Sequence, residues 1–367
     1  MDISKIDANF KVEVVKEPDN VWHDPKVAPF SIHGVYYSEK DGKYLRIPTN
    51  VAKQTSEGVL ALYNHTAGGR VRFKTNSPYI AIKSINSTYG ILPHLTMVAT
   101  YGYSIYINGK YYQKITPDLS NIKSDSLVVE YDGIFSVTAY ELEKEVYDVE
   151  IFMPLYSGVN EFYVGLKENS IILPATPYKY KKPILFYGSS ITQGGCASRP
   201  GNDYISHLSR KLDSDVLNLG FSGNGKAERT ICEYMSSLDP SIYVLDYDHN
   251  APNSEYLKET HYPLYETIRK AHKDTPIVFI SKPDFHTCCF YVTKLQDNID
   301  RRQVIIDSYK KARAQGDKNV YFIDGEKLFT DVDYDACTID GCHPNDLGFY
   351  RMAQTIYPIL KEILEKQ

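Results

Sequence analysis

The sequence predicts a chain of two unlike parts: an antiparallel β-sandwich, jelly-roll-like, followed by an α/β half with a parallel sheet covered by helices on both faces. Three observations carry this. Residues from about 10 to 175 alternate polar and apolar with turn dipeptides at short intervals. Beyond 183, short apolar runs alternate with amphipathic segments of helical length. Between them ATPYKYKKP (175–183), with two prolines and three lysines, reads as a linker. At 367 residues the chain is long for one core, so domains of 1–178 and 183–367 are expected.

In the first part, RVRFKTNSPYIAIKSI (70–85) sets Val71, Phe73, Ile80 and Ile82 at strand period around an Asn-Ser-Pro turn. YGYSIYINGKYYQKI (101–115) places two alternating runs about Asn108-Gly109, a strong hairpin signal. SLVVEYDGIFSVTAYEL (126–142) repeats that form about Asp132-Gly133, and YDVEIFMPLYSGVNEFYVGL (147–166) supplies two more strands. Many short strands with frequent turns suggest a sandwich, and no helix of convincing length is expected before residue 200.

In the second part the buried-strand runs are 184–188, 215–220, 241–248, 276–283 and 319–324. The amphipathic segments lie near 203–212, 226–238, 254–273, 297–315 and 346–364, with Pro358 expected to kink or end the last.

Composition excludes several classes. A net charge of −5 with no Lys/Arg-rich run gives no sign of a nucleic-acid partner. No apolar run approaches the roughly 18 residues of a membrane span. The first twenty residues have neither a basic nor an apolar signal-peptide region, so a cytoplasmic location is expected. Six cysteines without a CxxC pair fit reduced thiols. His286, Cys288 and Cys289 come nearest to a metal cluster, but their spacing matches no zinc pattern and no metal is expected. The 32 tyrosines serve packing, interfaces or sugar-stacking surfaces alike, packing being the plainer reading. The oligomeric state is not fixed by the sequence, and a homo-oligomer is admissible.

In an open parallel sheet, ligands bind at the carboxyl ends of the strands. Polar clusters fall at those ends: GSSITQGG (188–195), GFSGNGK (220–226), DHNAP (248–252) and DGCHP (340–344). The first is neither a phosphate loop, a dinucleotide fingerprint nor a GxSxG elbow. Taken alone, Ser190 is a turn serine, Asp340 a turn cap, His343 a surface residue and Asn250 a loop residue. Together they spell a nucleophile. Asp340 stands three residues before His343 and can fix its tautomer, leaving Nε2 to take a proton from Ser190. The Gly223 N–H and the Asn250 amide, beside the Ser190 N–H, are the donor types an oxyanion needs. Asn345 is placed to cap the helix that follows.

These four blocks resemble the SGNH (GDSL-type) hydrolase superfamily over roughly residues 183–364. GSSITQG matches the GDSxxxG block with Ser190 as nucleophile; NLGFSG carries the oxyanion glycine onto Gly223. YDHN places the asparagine at Asn250, and DxxH falls on Asp340 and His343. Two departures stand out: Ser189 replaces the aspartate before the nucleophile, and Asp248-His249 replaces the glycines before the asparagine. YGSSITQGGCASRPG, HTAGGRVRFKTNSPYIAI and MPLYSGVNEFYVGL resemble a bacterial subgroup in which an N-terminal β-domain precedes the hydrolase. The resemblance implies a three-layer α/β/α fold with a flavodoxin-like sheet, no cofactor, and ester hydrolysis through an acyl-enzyme. Carbohydrate O-acetyl esterases are the similar enzymes, so a small-molecule or oligosaccharide ester, acetyl first, is the expected substrate. Arg199, after the nucleophile, either meets substrate or braces its loop. A lipid-type esterase or acyl thioesterase is the alternative; of another class, a carbohydrate-binding protein with a decayed hydrolase site.

Overall fold

The computed structural model describes residues 5–7, 17–87, 92–116, 129–136, 146–283, 292–329 and 332–367. The N-terminal half is built from antiparallel sheets. One holds Asn20–His23, Gly158–Lys167, Tyr79–Ser87 and Val129–Ser136 in that order. The other is centred on Arg70–Thr75, Tyr147–Phe152, Tyr103–Ile107 and Lys110–Ile115. Their facing side chains form one apolar cluster, with Val71, Phe73, Ile80, Ile82, Ile105 and Val164 all fully buried. The Asn-Ser-Pro turn therefore passes the chain from one sheet to the other. The Asn108-Gly109 hairpin forms as expected, both turn residues taking positive φ.

The hairpin expected at Asp132-Gly133 does not form. Val129–Ser136 is one continuous strand, with Asp132 opposite Lys83 and Gly133 opposite Ile82. A long ladder on a neighbouring strand overrides the local turn preference.

The second half is a five-stranded parallel sheet: β1 (Tyr180–Gly188), β2 (Ser214–Gly220), β3 (Ile242–Asp246), β4 (Ile277–Ile280) and β5 (Val320–Ile323). The order β2–β1–β3–β4–β5 is flavodoxin-like, and its reversal beside β1 places a crevice at the carboxyl ends of β1, β2 and β3. The helices are α1 (Ser190–Gln193), α2 (Tyr204–Leu212), α3 (Arg229–Ser236), α4 (Ser254–Ala271), α5 (Val292–Ala314) and α6 (Asp346–Glu365). Helix α6 runs through Pro358 rather than ending there. Leu360, Ile363 and Leu364 are buried beyond the proline, and that burial outweighs one missing hydrogen bond.

The stretch expected to be a linker is docked rather than loose. Tyr180 already pairs with Ser214, and Pro183 sits at an irregularity in the ladder where no N–H is required. Tyr178 lies under the Arg72 guanidinium at 3.8 Å and donates to Glu150 at 2.8 Å. Buried Arg70 binds Asp215 of β2 and the Gly68 carbonyl, and His33 Nδ1 meets Asp215 at 2.9 Å. Apolar clusters also straddle the two halves. Leu95, Ala99, Leu155 and Tyr156 pack with Phe186, Ile191 and Phe349. On the other face Leu45, Ile47, Val59 and Leu62 pack with Tyr187, Leu219 and Phe221.

No helix among the described residues is long and apolar enough to cross a membrane. His286, Cys288 and Cys289 lie outside the described residues. Cys196, Cys232 and Cys337 are free thiols.

Candidate active site

Strand β1 delivers Ser190 to the first position of α1. Ser189 is the cap: its hydroxyl accepts from Ile191 N–H at 3.1 Å, and its own N–H donates to Thr192 Oγ1 at 3.1 Å. This explains the serine where the resembling family carries aspartate, since either side chain caps a helix. Thr192 Oγ1 reaches on to buried Asp246 at 3.3 Å, which also accepts from Tyr204 OH at 2.9 Å. Burial, and then neighbouring Asp248, push the Asp246 carboxyl well above the ordinary value.

The imidazole comes from the loop before α6. Asp340 Oδ1 accepts the backbone N–H groups of Cys342 (3.0 Å) and His343 (2.7 Å), and Oδ2 lies 2.7 Å from His343 Nδ1. The opposite nitrogen, Nε2, stands 2.9 Å from Ser190 Oγ. Desolvation draws the Asp340 carboxyl upward, but the bonds from His343 and Cys342 outweigh it and hold the group below its ordinary value. A carboxylate therefore faces Nδ1 at neutral pH. Asn345 caps α6 through Gly348 N–H at 3.1 Å, as expected.

The oxyanion candidates are best judged by asking where each backbone N–H goes. From 220 to 225, Gly220 donates to Asn218 Oδ1, Phe221 to Gly188 O, Ser222 to Gln193 Oε1, and Asn224 and Gly225 to Phe221 O. Gly223, at φ +69°, is the one N–H of the loop with no acceptor among the described residues. Around α1 the Ser189, Ile191 and Gln193 N–H groups are likewise engaged, while that of Ser190 is a first-turn donor without an intrahelical acceptor. Asn250 Oδ1 accepts from Gly225 N–H at 3.2 Å, which leaves its NH₂ to donate. The sequence-predicted Ser190, Asp340 and His343 are joined by hydrogen bonds, and Asn250 is tied to the Gly223 loop.

Arg199 makes the contacts of a brace. It donates to Tyr106 OH at 2.6 Å and lies 3.6 Å over the Tyr111 ring, both on the N-terminal hairpin. Tyr101, Tyr103 and Tyr106 are buried; Tyr111 is exposed but covered by that guanidinium.

Several neighbours were not predicted. His94 of the N-terminal half sets its ring 5.6 Å from that of His343. His249 Nδ1 is 3.8 Å from Cys342 Sγ, and desolvation keeps its imidazole neutral. Buried Arg46, His65 and Gln193 reach the Gly223 loop and its support. The Q of GSSITQG was a visible signal. A histidine or arginine over 120 residues away was not.

Residues 181–361 match the model of the GDSL-like Lipase/Acylhydrolase family. Residues 20–172 match the model for the N-terminus of Esterase_SGNH_hydro-type proteins. The chain is an SGNH (GDSL-type) hydrolase. Among solved structures, a GDSL-like lipase from Bacteroides ovatus is similar at 29% identity and TM-score 0.82, over 94% of this chain and 98% of that one. A salicylyl-acyltransferase from a tetracycline biosynthetic pathway is similar at 17% identity and TM-score 0.76, over 95% and 98%. A family two carbohydrate esterase from Clostridium thermocellum shares the fold at 14% identity and TM-score 0.60, over 92% and 100%. No curated protein matches the chain.

Proposed function

We propose that this SGNH hydrolase is a serine esterase that removes small acyl groups, acetyl foremost, from an O-acylated sugar or oligosaccharide. The observation that carries the reading is the continuous chain Ser190–His343–Asp340, at 2.9 and 2.7 Å, beside two N–H groups without acceptors among the described residues.

In this reading Ser190 Oγ attacks the ester carbonyl while His343 Nε2 takes its proton. Asp340 holds the tautomer and faces the imidazolium that forms. The N–H groups of Ser190 and Gly223 and the Asn250 amide receive the oxyanion. His343 then protonates the departing alcohol, and the acyl-enzyme is hydrolysed by water activated on the same nitrogen. Small, polar residues of 188–195 favour a short acyl group. The carbohydrate esterase in the same fold supports a sugar substrate by analogy of architecture.

Exposed Ile339 and Leu347 beside the His343 loop favour a second reading, an esterase for longer acyl chains. One assay separates the two. Hydrolysis of 4-nitrophenyl acetate, butyrate and octanoate is compared for wild type and Ser190→Ala. Acetate turnover that falls with chain length and drops by at least about 10⁴-fold in the variant is expected. Octanoate preference would establish the second reading, and full rate in the variant would remove Ser190 from the chemistry.

A further inference from the structure

The Gly223 loop is held from the N-terminal half. Arg46, only 4% exposed, donates from one nitrogen to the carbonyls of Asn218 and Gly220, and from another to Leu62 O at 2.8 Å. Its guanidinium lies 4.6 Å over the Phe221 ring. Among the described residues no carboxylate pairs with it. A buried cation whose hydrogen bonds go to carbonyls is costly, and desolvation lowers its pKa to about 9. Such an arrangement calls for a reason beyond packing.

Gln193 makes the second tie. Its Oε1 accepts Ser222 N–H at 3.0 Å, while Nε2 donates to Leu155 O and meets His65 Nδ1, both at 3.1 Å. His65 is 3% exposed, and desolvation followed by the nearby Arg46 charge brings its pKa down to about 3. A neutral ring is what lets Nδ1 accept from an amide. A third contact closes the wall: a Cβ on Gly58 would fall 1.9 Å from Asn224 Oδ1, so the helix Glu57–Leu62 lies directly against the loop.

We propose that Arg46, His65 and Gln193 are positioning residues that hold residues 220–225 in the conformation leaving the Gly223 N–H for the oxyanion. The inference rests on the serine-esterase reading above. Arg46 fixes the entry to the loop through the Gly220 carbonyl, and Gln193 fixes Ser222, the residue before the donor. Without these ties Ser222 N–H and the flanking carbonyls lose buried partners, and the loop relaxes towards other pairings. A shift of about 1 Å in a donor is enough to cost up to about 100-fold in rate. The effect falls on the transition state, where the oxyanion exists, and not on the ground-state ester.

The test uses the full chain with Gln193→Met, which keeps side-chain length and removes the acceptor, and with Arg46→Lys, which keeps the charge and loses the fork. Steady-state kinetics on 4-nitrophenyl acetate, inhibition by phenylboronic acid and thermal midpoints are measured together. Phenylboronic acid accepts the Ser190 oxygen into a tetrahedral adduct and so reports on the oxyanion donors. For Gln193→Met, kcat should fall about 10- to 100-fold with KM within twofold, and boronate affinity should weaken by a similar factor. Arg46→Lys should show a smaller loss in the same two quantities. An unchanged kcat in both variants, or a fall in kcat without weaker boronate binding, overturns the proposal. Failure of the underlying reading looks different: Ser190→Ala would then keep its activity, and boronate would not inhibit wild type.

Discussion

The two loops that meet at Ser190 are made in opposite ways. The His343 loop holds itself: Ile339 N–H to His343 O, Gly341 to Thr338, Cys342 and His343 to Asp340, and Asn345 to Cys337 all span eight residues or fewer. The Gly223 loop depends on distant chain: Gly188 and Gln193 in the nucleophile block, Asn250 after β3, and Arg46 from the other half. Two carboxyl groups near Ser190 diverge too. Asp340 is 42% exposed and held below its ordinary value by N–H donors, while buried Asp246 under the nucleophile helix is driven far above. In the proposed mechanism, proton transfer would thus be organised locally, and charge stabilisation by the tertiary fold.

This contrast can be broken from either side. Asp340→Asn should cost the most, about 10³- to 10⁴-fold in kcat, because the amide presents the wrong partner to Nδ1 while the turn persists. Circular dichroism should be unchanged; a loss under tenfold would mean that the imidazole is oriented otherwise. Asn250→Ala comes next, at about 100- to 1,000-fold in kcat with little change in KM. Gly225 N–H keeps Phe221 O as a second acceptor, so the loop should survive the truncation.

Ser189→Ala removes a cap and should lower stability by about 1 kcal/mol in denaturant unfolding. Ser189→Asp should retain that stability if capping is the role this position serves. Asp246→Asn is read in the pH dependence of stability. The folded state keeps this carboxyl protonated well above pH 3.8, whereas the unfolded chain ionises there, so its contribution to stability declines as pH rises from about 4. The amide should flatten that decline: the variant should gain on wild type between pH 5 and 8, and lose the advantage near pH 3. Parallel curves would mean that the carboxyl is ionised in the folded protein.

How much of this was legible in sequence follows the same division. DGCHP could be read because Asp340, His343 and the capping Asn345 act within six residues, and turn chemistry at that range is local. The five parallel strands were visible as apolar runs, and the Asn108-Gly109 hairpin as a dipeptide. Asp132-Gly133 misled for the reason that Asn108-Gly109 did not: its strand pairs along its whole length with Tyr79–Ser87, and a ladder outranks a turn signal. Arg46 lies in no motif and acts on backbone carbonyls 172 and 174 residues away. His65 opens the stretch HTAGGRVRFKTNSPYIAI but acts through the Gln193 side chain, 128 residues on, and neither contact is announced locally. Arg199, read either as meeting substrate or as bracing its loop, is stacked on the N-terminal hairpin, a contact that no local pattern announces.

The apolar clusters that straddle the two halves have a consequence for inheritance. A module that moves between proteins must carry a closed surface of its own, and neither half does. Cutting between 178 and 183 would expose Leu95, Leu155 and Tyr156 on one side and Ile191 and Leu219 on the other. The halves should therefore melt in a single calorimetric transition, and a hybrid made by exchanging one half with a relative should fold only when the facing residues are exchanged as well. In such a lineage the β-sheet half changes in step with the hydrolase half, as two faces of one seam.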